Sequence, residues 1–187
     1  MRRIWTRYAF GVAALALVLA SGSASAWECD FLTGGGFIIR DSGAKANFGV
    51  GGGCKHGSPT WGHLEYQDHG TGLNVHWTRI TAYLEVDSST DSRGKPIGAR
   101  RICGTARTNQ YGDVDWFVIA RDTGEPGVDD EFTIRLTPLG GGIPLYTTEG
   151  DSNHTLGGSG PGGGNIQLHK LNPPTNTGTC PAFASGG

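Results

Sequence analysis

The sequence has few of the features that build helices after its first 26 residues. Apolar residues show no 3.6-residue period there, no heptad repeat occurs, methionine is nearly absent and lysine is scarce. The missing period excludes helix bundles and coiled coils. No P-loop or G-x-S-x-G serine motif occurs, which argues against nucleotide phosphate binding and serine hydrolase chemistry. What remains is a glycine-rich chain, with 33 glycines in 187 residues, that favours many strands and tight turns.

The amino-terminal segment has the organisation of a signal peptide. Arg2, Arg3 and Arg7 precede the apolar run Phe10–Ala20, which is too short to span a bilayer comfortably. Ala24-Ser25-Ala26 then supplies the small residues that a signal peptidase recognises. We therefore predict a signal peptide over residues 1–26 and a secreted or periplasmic protein without stable membrane insertion after cleavage.

The charge balance of the remaining chain limits its partners. Three arginines lie in the first 26 residues, so twelve basic residues face 17 acidic ones and the net charge is −5. A mildly acidic surface argues against nucleic acid, which needs a basic stripe, and against docking on anionic lipid.

Two-residue alternation of apolar and polar residues predicts an all-β domain over residues 27–170. The predicted strand segments are 37–39, 46–50, 64–66, 73–77, 82–86, 102–106, 114–121, 132–136, 145–147 and 166–168. The almost continuous apolar run in 114–121 predicts a central strand buried on both faces. About nine or ten strands at this spacing are typical of an antiparallel β-sandwich or a jelly-roll-like barrel. Residues 171–187, with Pro173-Pro174 and a Gly/Ser end, predict a tail without regular structure.

The four cysteines of this region predict two disulfides, because their number is even and the predicted compartment is oxidising. Three pairings are open, and we favour Cys29–Cys180, which would join the termini, with Cys54–Cys103. The alternation of side chains along the strands argues against the second bond. It places Cys54 on the core-facing side of its strand, whereas Cys103 points away from the side that Ile102 faces. A bulge at Gly51–Gly53 would repair the parity. Structural zinc is the weaker alternative, because no C-x-x-C spacing occurs.

Acidic residues cluster in the loop that follows the central strand. Asp122, Glu125, Asp129 and Asp130 lie in a Gly/Pro-containing stretch. Carboxylate oxygens suit a hard cation, which makes calcium the one cofactor hypothesis for this loop. The spacing matches no EF-hand, so a solvated acidic turn is the alternative.

A second metal hypothesis concerns two neighbouring strands. His63 and Glu65 share one strand face, and His76 lies on the polar face of the next strand. If the strands pair in register, two imidazoles and a carboxylate would converge on zinc or iron. The alternative is a polar sheet face with surface histidines.

Aromatic residues suggest a third kind of site. Tyr83 alternates outward from its strand and Tyr111 lies in a turn, so both are predicted to be exposed. An exposed aromatic ring can stack on the apolar face of a sugar. Trp77 and Trp116 are predicted to fill the core instead.

Six short segments occur in a characteristic order. They are Thr33–Ile38, Lys45–Gly49, Leu73–His76, Gly127–Ile134, Leu156–Gly158 and Gly164–His169. This order resembles the post-COAP family of secreted bacterial domains over about residues 32–170. The resemblance implies an extracellular β domain and transfers no catalytic residues. The chain departs from the family pattern in its additional cysteines.

These observations predict a binding or structural module rather than an enzyme. The expected partner is a carbohydrate or another cell-envelope component, with calcium as the hypothetical stabilising ion. The alternative is a small metal-dependent hydrolase that uses His63, Glu65 and His76.

Overall fold

A computed structural model describes residues 29–55, 58–158, 161–170 and 180 of the chain. The predicted signal peptide lies outside the described residues, as does the predicted tail apart from Cys180. Within the described ranges the secondary structure is entirely strand and turn, so the all-β prediction is confirmed. No helix in these ranges is long and apolar enough to cross a membrane.

The described part of the chain contains ten strands, all paired antiparallel. They are β1 (Phe31–Ile39), β2 (Lys45–Lys55), β3 (Ser58–Asp68), β4 (Leu73–Glu85), β5 (Ser89–Thr90), β6 (Pro96–Thr108), β7 (Gly112–Asp122), β8 (Glu131–Pro138), β9 (Tyr146–Thr147) and β10 (Gly164–Leu168). The strand positions agree with the alternating segments of the sequence. The short strand β5 was not predicted, because no alternation occurs there.

The strands form one curled sheet rather than two packed sheets. Their neighbour order is β10-β1-β2-β3-β4-β6-β7-β8-β9, with β5 paired only to β6. Strands that follow each other in sequence therefore pair almost throughout, because short turns join antiparallel neighbours. The last strand returns to pair with the first.

The concave side of the sheet holds the main apolar core. Trp116, Phe132, Leu64 and Ile102 are fully or almost fully buried there. Close packing around the largest of these side chains depends on glycine. A Cβ on Gly104 would lie 2.7 Å from the Trp116 ring and 2.1 Å from the backbone oxygen of Arg79.

Strand β7 is buried on both faces, as the sequence predicts. Trp116 and its alternate neighbours face the main core, whereas Phe117 belongs to a smaller cluster on the outer face. That cluster also contains Ala82 and Cys103, and Leu84, Ile119 and Cys180 pack against it.

The structure corrects the favoured disulfide pairing. Cys29 bonds to Cys54, and Cys103 bonds to Cys180. Cys54 lies in the main core and Cys103 in the outer cluster, so the sheet separates them. The parity conflict in the sequence was therefore real, and no bulge removes it.

Tyr83 is the second correction, because it is fully buried rather than exposed. Register shifts between Trp77 and Arg79 and between Ile80 and Ala82 change the alternation along β4 twice, so that Tyr83 faces the main core as Leu73 does. Ala82 and Leu84, the apolar residues on either side of it, belong to the outer cluster instead. The Tyr83 hydroxyl donates to Asp30 over 2.5 Å, and the Arg100 guanidinium binds the same carboxylate. Burial, then the charge of Asp30, raises the pKa of Tyr83.

Candidate functional site

The acidic loop predicted to bind calcium closes the edge of β10. The Asp130 carboxylate accepts the backbone N–H of Ile166 at 2.7 Å through one oxygen and that of Thr123 at 2.9 Å through the other. Asp122 likewise accepts the N–H groups of Leu168 and Gly124, both at 2.7 Å. Strand edges expose unpaired N–H groups, and here the two carboxylates satisfy those of Ile166 and Leu168 on β10.

The other two residues of the calcium hypothesis lie apart from this arrangement. Asp129 is exposed, and Glu125 accepts a 3.3 Å hydrogen bond from Gln167. Burial raises the pKa of Asp130, against the lowering effect of the backbone N–H groups it accepts. Among the described residues no three His, Cys, Asp or Glu side chains are grouped as metal ligands.

The predicted His/Glu/His constellation is assembled only in part. Glu65 and His76 face each other across β3 and β4, and the Glu65 Oε1 to His76 Nδ1 distance is 2.5 Å. His63 lies on the same face but packs beside Trp61, with ring centroids 6.5 Å apart. The sheet register therefore brings two of the three residues together.

Around this pair lies a groove of about 490 Å³. We call it the polar groove, and the outward side chains that line it are Asn47, Glu65, Gln67, Asn74, His76, Arg107 and Asn109, with Gly49 among them. They belong to β2, β3, β4 and β6 and to the turn after β6. The alternate residues Phe48, Tyr66 and Val75 point into the core.

The floor of the polar groove is free of side chains at Gly49. Gly49 lies directly across from Gly35 of β1 and from Glu65 of β3. A Cβ on Gly49 would meet no atom within 4 Å. This glycine is therefore not required by packing, and its effect is to leave room above the strand.

Amide side chains form one row of the groove. Asn47, Gln67 and Asn74 are cross-strand neighbours in the register of β2, β3 and β4, and all three are exposed. Asn109 is held in its turn, where it accepts the Asn74 N–H at 2.8 Å and donates to Gly72 at 2.9 Å. No described residue hydrogen-bonds the side-chain amides of Asn47 and Gln67, so both offer a donor and an acceptor.

Each charged side chain of the groove lies beside a polar or oppositely charged partner. Glu65 pairs with His76, and Arg107 Nε lies 3.8 Å from Asp113 Oδ1. These exposed pairs contribute little to stability. Arg107, the arginine of the groove lining, therefore already lies beside a carboxylate.

An aromatic cluster borders the groove along β3. Phe31 stacks on His169 with centroids 4.2 Å apart and meets Trp61 edge-on at 5.9 Å. Gly51 lies beneath, since its Cβ would come within 3.0 Å of His63 and 3.4 Å of Trp61. The rings of Trp61 and His63 therefore lie close over the backbone of Gly51, next to the open floor at Gly49.

The tyrosine predictions have different outcomes. Tyr111 is 37% exposed and lies in the turn that also carries Asn109, but it does not line the polar groove. Tyr83 is buried and belongs to no surface site. Sequence reasoning counted Trp61 among the aromatic residues available to a sugar but preferred Tyr83 and Tyr111, and it missed the amide row. The alternation of β3 places Trp61 and Gln67 on the same face as His63 and Glu65.

A second polar cluster lies between the β1–β2 turn and β9. The Arg40 guanidinium binds Asp68 at 2.8 Å and also Asp151, Tyr146 and the backbone oxygen of Thr147. Burial raises the pKa of Tyr66, which hydrogen-bonds Tyr146, to about 12. All three nitrogens of the Arg40 guanidinium form hydrogen bonds within the protein. The cluster therefore holds β9 against the rest of the sheet.

Comparison of the chain with known protein families, curated proteins and solved structures found no match. The resemblance to the post-COAP family therefore stays a prediction.

Proposed function

We propose that this protein is a non-enzymatic extracytoplasmic binding module and that the polar groove is its carbohydrate-binding site. The observation that carries the proposal is the open Gly49 floor beside exposed amides that no described residue engages. Sugar hydroxyl groups both donate and accept hydrogen bonds, as the amides of Asn47 and Gln67 do. The neighbouring rings of Trp61 and Phe31 supply the apolar surface that sugar faces need.

The disulfides agree with an extracytoplasmic location. Two bonds join all four cysteines, and such bonds persist in oxidising compartments. A module exposed outside the cytoplasm would meet envelope and environmental polysaccharides, which are the ligands we propose.

A hydrolase is not proposed. Glu65 and His76 form a pair, but His63 does not complete a metal-binding set with them among the described residues. Among the described residues, the groove thus offers hydrogen-bonding groups but not the three metal ligands that the hydrolase alternative requires.

Affinity electrophoresis of the oxidised chain tests the proposal. Native gels containing hydroxyethylcellulose, glycol chitin or xylan should retard the protein in at least one case. Gly49→Val places a branched side chain in the open floor and should abolish retardation. Valine suits a strand, and the Cβ site is free of neighbours, so folding should be kept.

Gly150→Val is the matched control, because its Cβ also meets nothing within 4 Å and it lies in a turn away from the groove. It should migrate as the unaltered protein does in every gel. Lack of retardation by all three polysaccharides would contradict the proposal, as would equal retardation of Gly49→Val. Far-ultraviolet circular dichroism confirms that both variants are folded.

A further inference from the structure

The polar groove and the aromatic cluster lie on one continuous strand face. Trp61, His63, Glu65 and Gln67 are alternate residues of β3, and their cross-strand partners show unbroken register from Gly53 to Asn47. Six residue steps along a strand span roughly 20 Å. This face is as long as several sugar rings in a row.

The two ends of this face differ in chemistry. At the Gln67 end the exposed groups are amides, which can hydrogen-bond hydroxyl groups along the edge of a sugar. At the Trp61 end the rings of Phe31, Trp61 and His169 make an apolar surface. Thr33 and His169 also share a 2.8 Å hydrogen bond, which fixes the imidazole stacked on Phe31.

The middle of the face carries the carboxylate of Glu65, and the nearby Arg107 is already beside a carboxylate. Glu65 is paired with His76 in the middle, and Arg107 with Asp113 on the adjoining strands. An anionic ligand would have to displace Asp113 from Arg107, or meet the carboxylate of Glu65. A neutral ligand meets neither obstacle.

We propose that the ligand is a neutral, linear oligosaccharide of more than two rings. One part binds over Gly49 against Gln67 and Asn47, and another stacks at Trp61. The inference rests on the proposed function, since it assigns the length and charge of the ligand to the same site. Trp61 then contributes to the affinity for long oligosaccharides and not to the affinity for short ones.

Isothermal titration calorimetry with defined oligosaccharides tests this inference. The probes are cellobiose and cellotetraose, chitobiose and chitotetraose, and the anionic tetragalacturonate. In the series that binds, we expect the tetrasaccharide to bind at least tenfold more tightly than the disaccharide. Tetragalacturonate should bind more weakly than the neutral tetrasaccharide.

Two variants separate the parts of the site. Trp61→Ala should remove the advantage of the tetrasaccharide and leave disaccharide binding unchanged, and Trp61→Phe should restore most of that advantage. Gln67→Ala should weaken both ligands by roughly 3- to 10-fold, the value of one neutral hydrogen bond.

The outcomes distinguish the two proposals. Equal affinities for disaccharide and tetrasaccharide, both lost in Gly49→Val, would overturn the extended ligand and leave the binding site standing. Tightest binding of tetragalacturonate would overturn the neutral ligand. If no oligosaccharide binds and no polysaccharide gel retards the protein, the proposed function itself is wrong.

Discussion

Replacing Asp130 by asparagine tests whether the acidic loop serves the strand edge or a cation. Asp130 is fully buried, and its carboxylate accepts the N–H groups of Ile166 and Thr123. Asparagine keeps the volume but offers one acceptor oxygen and a donor NH₂ group, so one of the two N–H groups, buried at Ile166 or part-buried at Thr123, loses its acceptor.

The expected loss follows from that unpaired group. A buried donor left unsatisfied costs about 1–3 kcal/mol. Burial of the Asp130 carboxylate also carries a desolvation cost, which raises its pKa and which asparagine does not incur. This saving keeps the expected loss of stability in the middle of that range. A loss of about 2 kcal/mol corresponds to a fall in Tm of roughly 4–8 °C for a domain of this size.

Thermal melts and amide hydrogen exchange measure the effect. Asp129→Asn is the matched control, because Asp129 is the exposed neighbour in the same loop and the same calcium hypothesis. The strand-edge role predicts a lower Tm and faster exchange at Ile166 only in Asp130→Asn. A wild-type Tm that rises by several degrees in calcium, with the rise lost in both variants, would refute this reasoning and establish the cation site.

Three further predictions concern acid stability, the disulfides and packing. Burial alone would raise the pKa of Asp68, but its hydrogen bonds and the nearby guanidinium outweigh this and hold it below 3.8. Its contribution to stability is therefore present above that value and lost as pH falls through the folded-state pKa. Asp68→Asn should narrow the difference in urea midpoint between about pH 5 and about pH 3, and an unchanged difference would contradict the assignment. Peptide mapping without reduction should link Cys103 to Cys180, and replacing both by alanine should cost up to about 4.5 kcal/mol for a separation of 77 residues; any other linkage would refute the fold at this point. Gly104→Ala should destabilise by about 1–3 kcal/mol in urea unfolding, because its methyl group would overlap a neighbouring strand, whereas Gly49→Ala should be neutral. Equal effects of the two would show that the core does not pack closely on Gly104.

Strand identity could be predicted from local pattern because side-chain direction alternates at every residue of a strand. The runs around Phe48, Leu64 and Ile134 alternate without interruption, and all three residues are buried. The double burial of β7 was equally visible in its continuous apolar run. Tyr83 shows the limit of this reasoning, because its apolar neighbours Ala82 and Leu84 face the smaller cluster on the outer side of the sheet. Local alternation cannot distinguish that cluster from the main core.

The sequence by itself determined the all-β class, the central strand, the presence of two disulfides and the exposure of Tyr111. It also contained the parity evidence that Cys54 and Cys103 face different sides. Only the tertiary structure decided which cysteines pair, because that depends on which distant strands curl together. The polar groove is likewise a product of register, since Gly49, Glu65 and His76 become neighbours only when β2, β3 and β4 pair residue by residue.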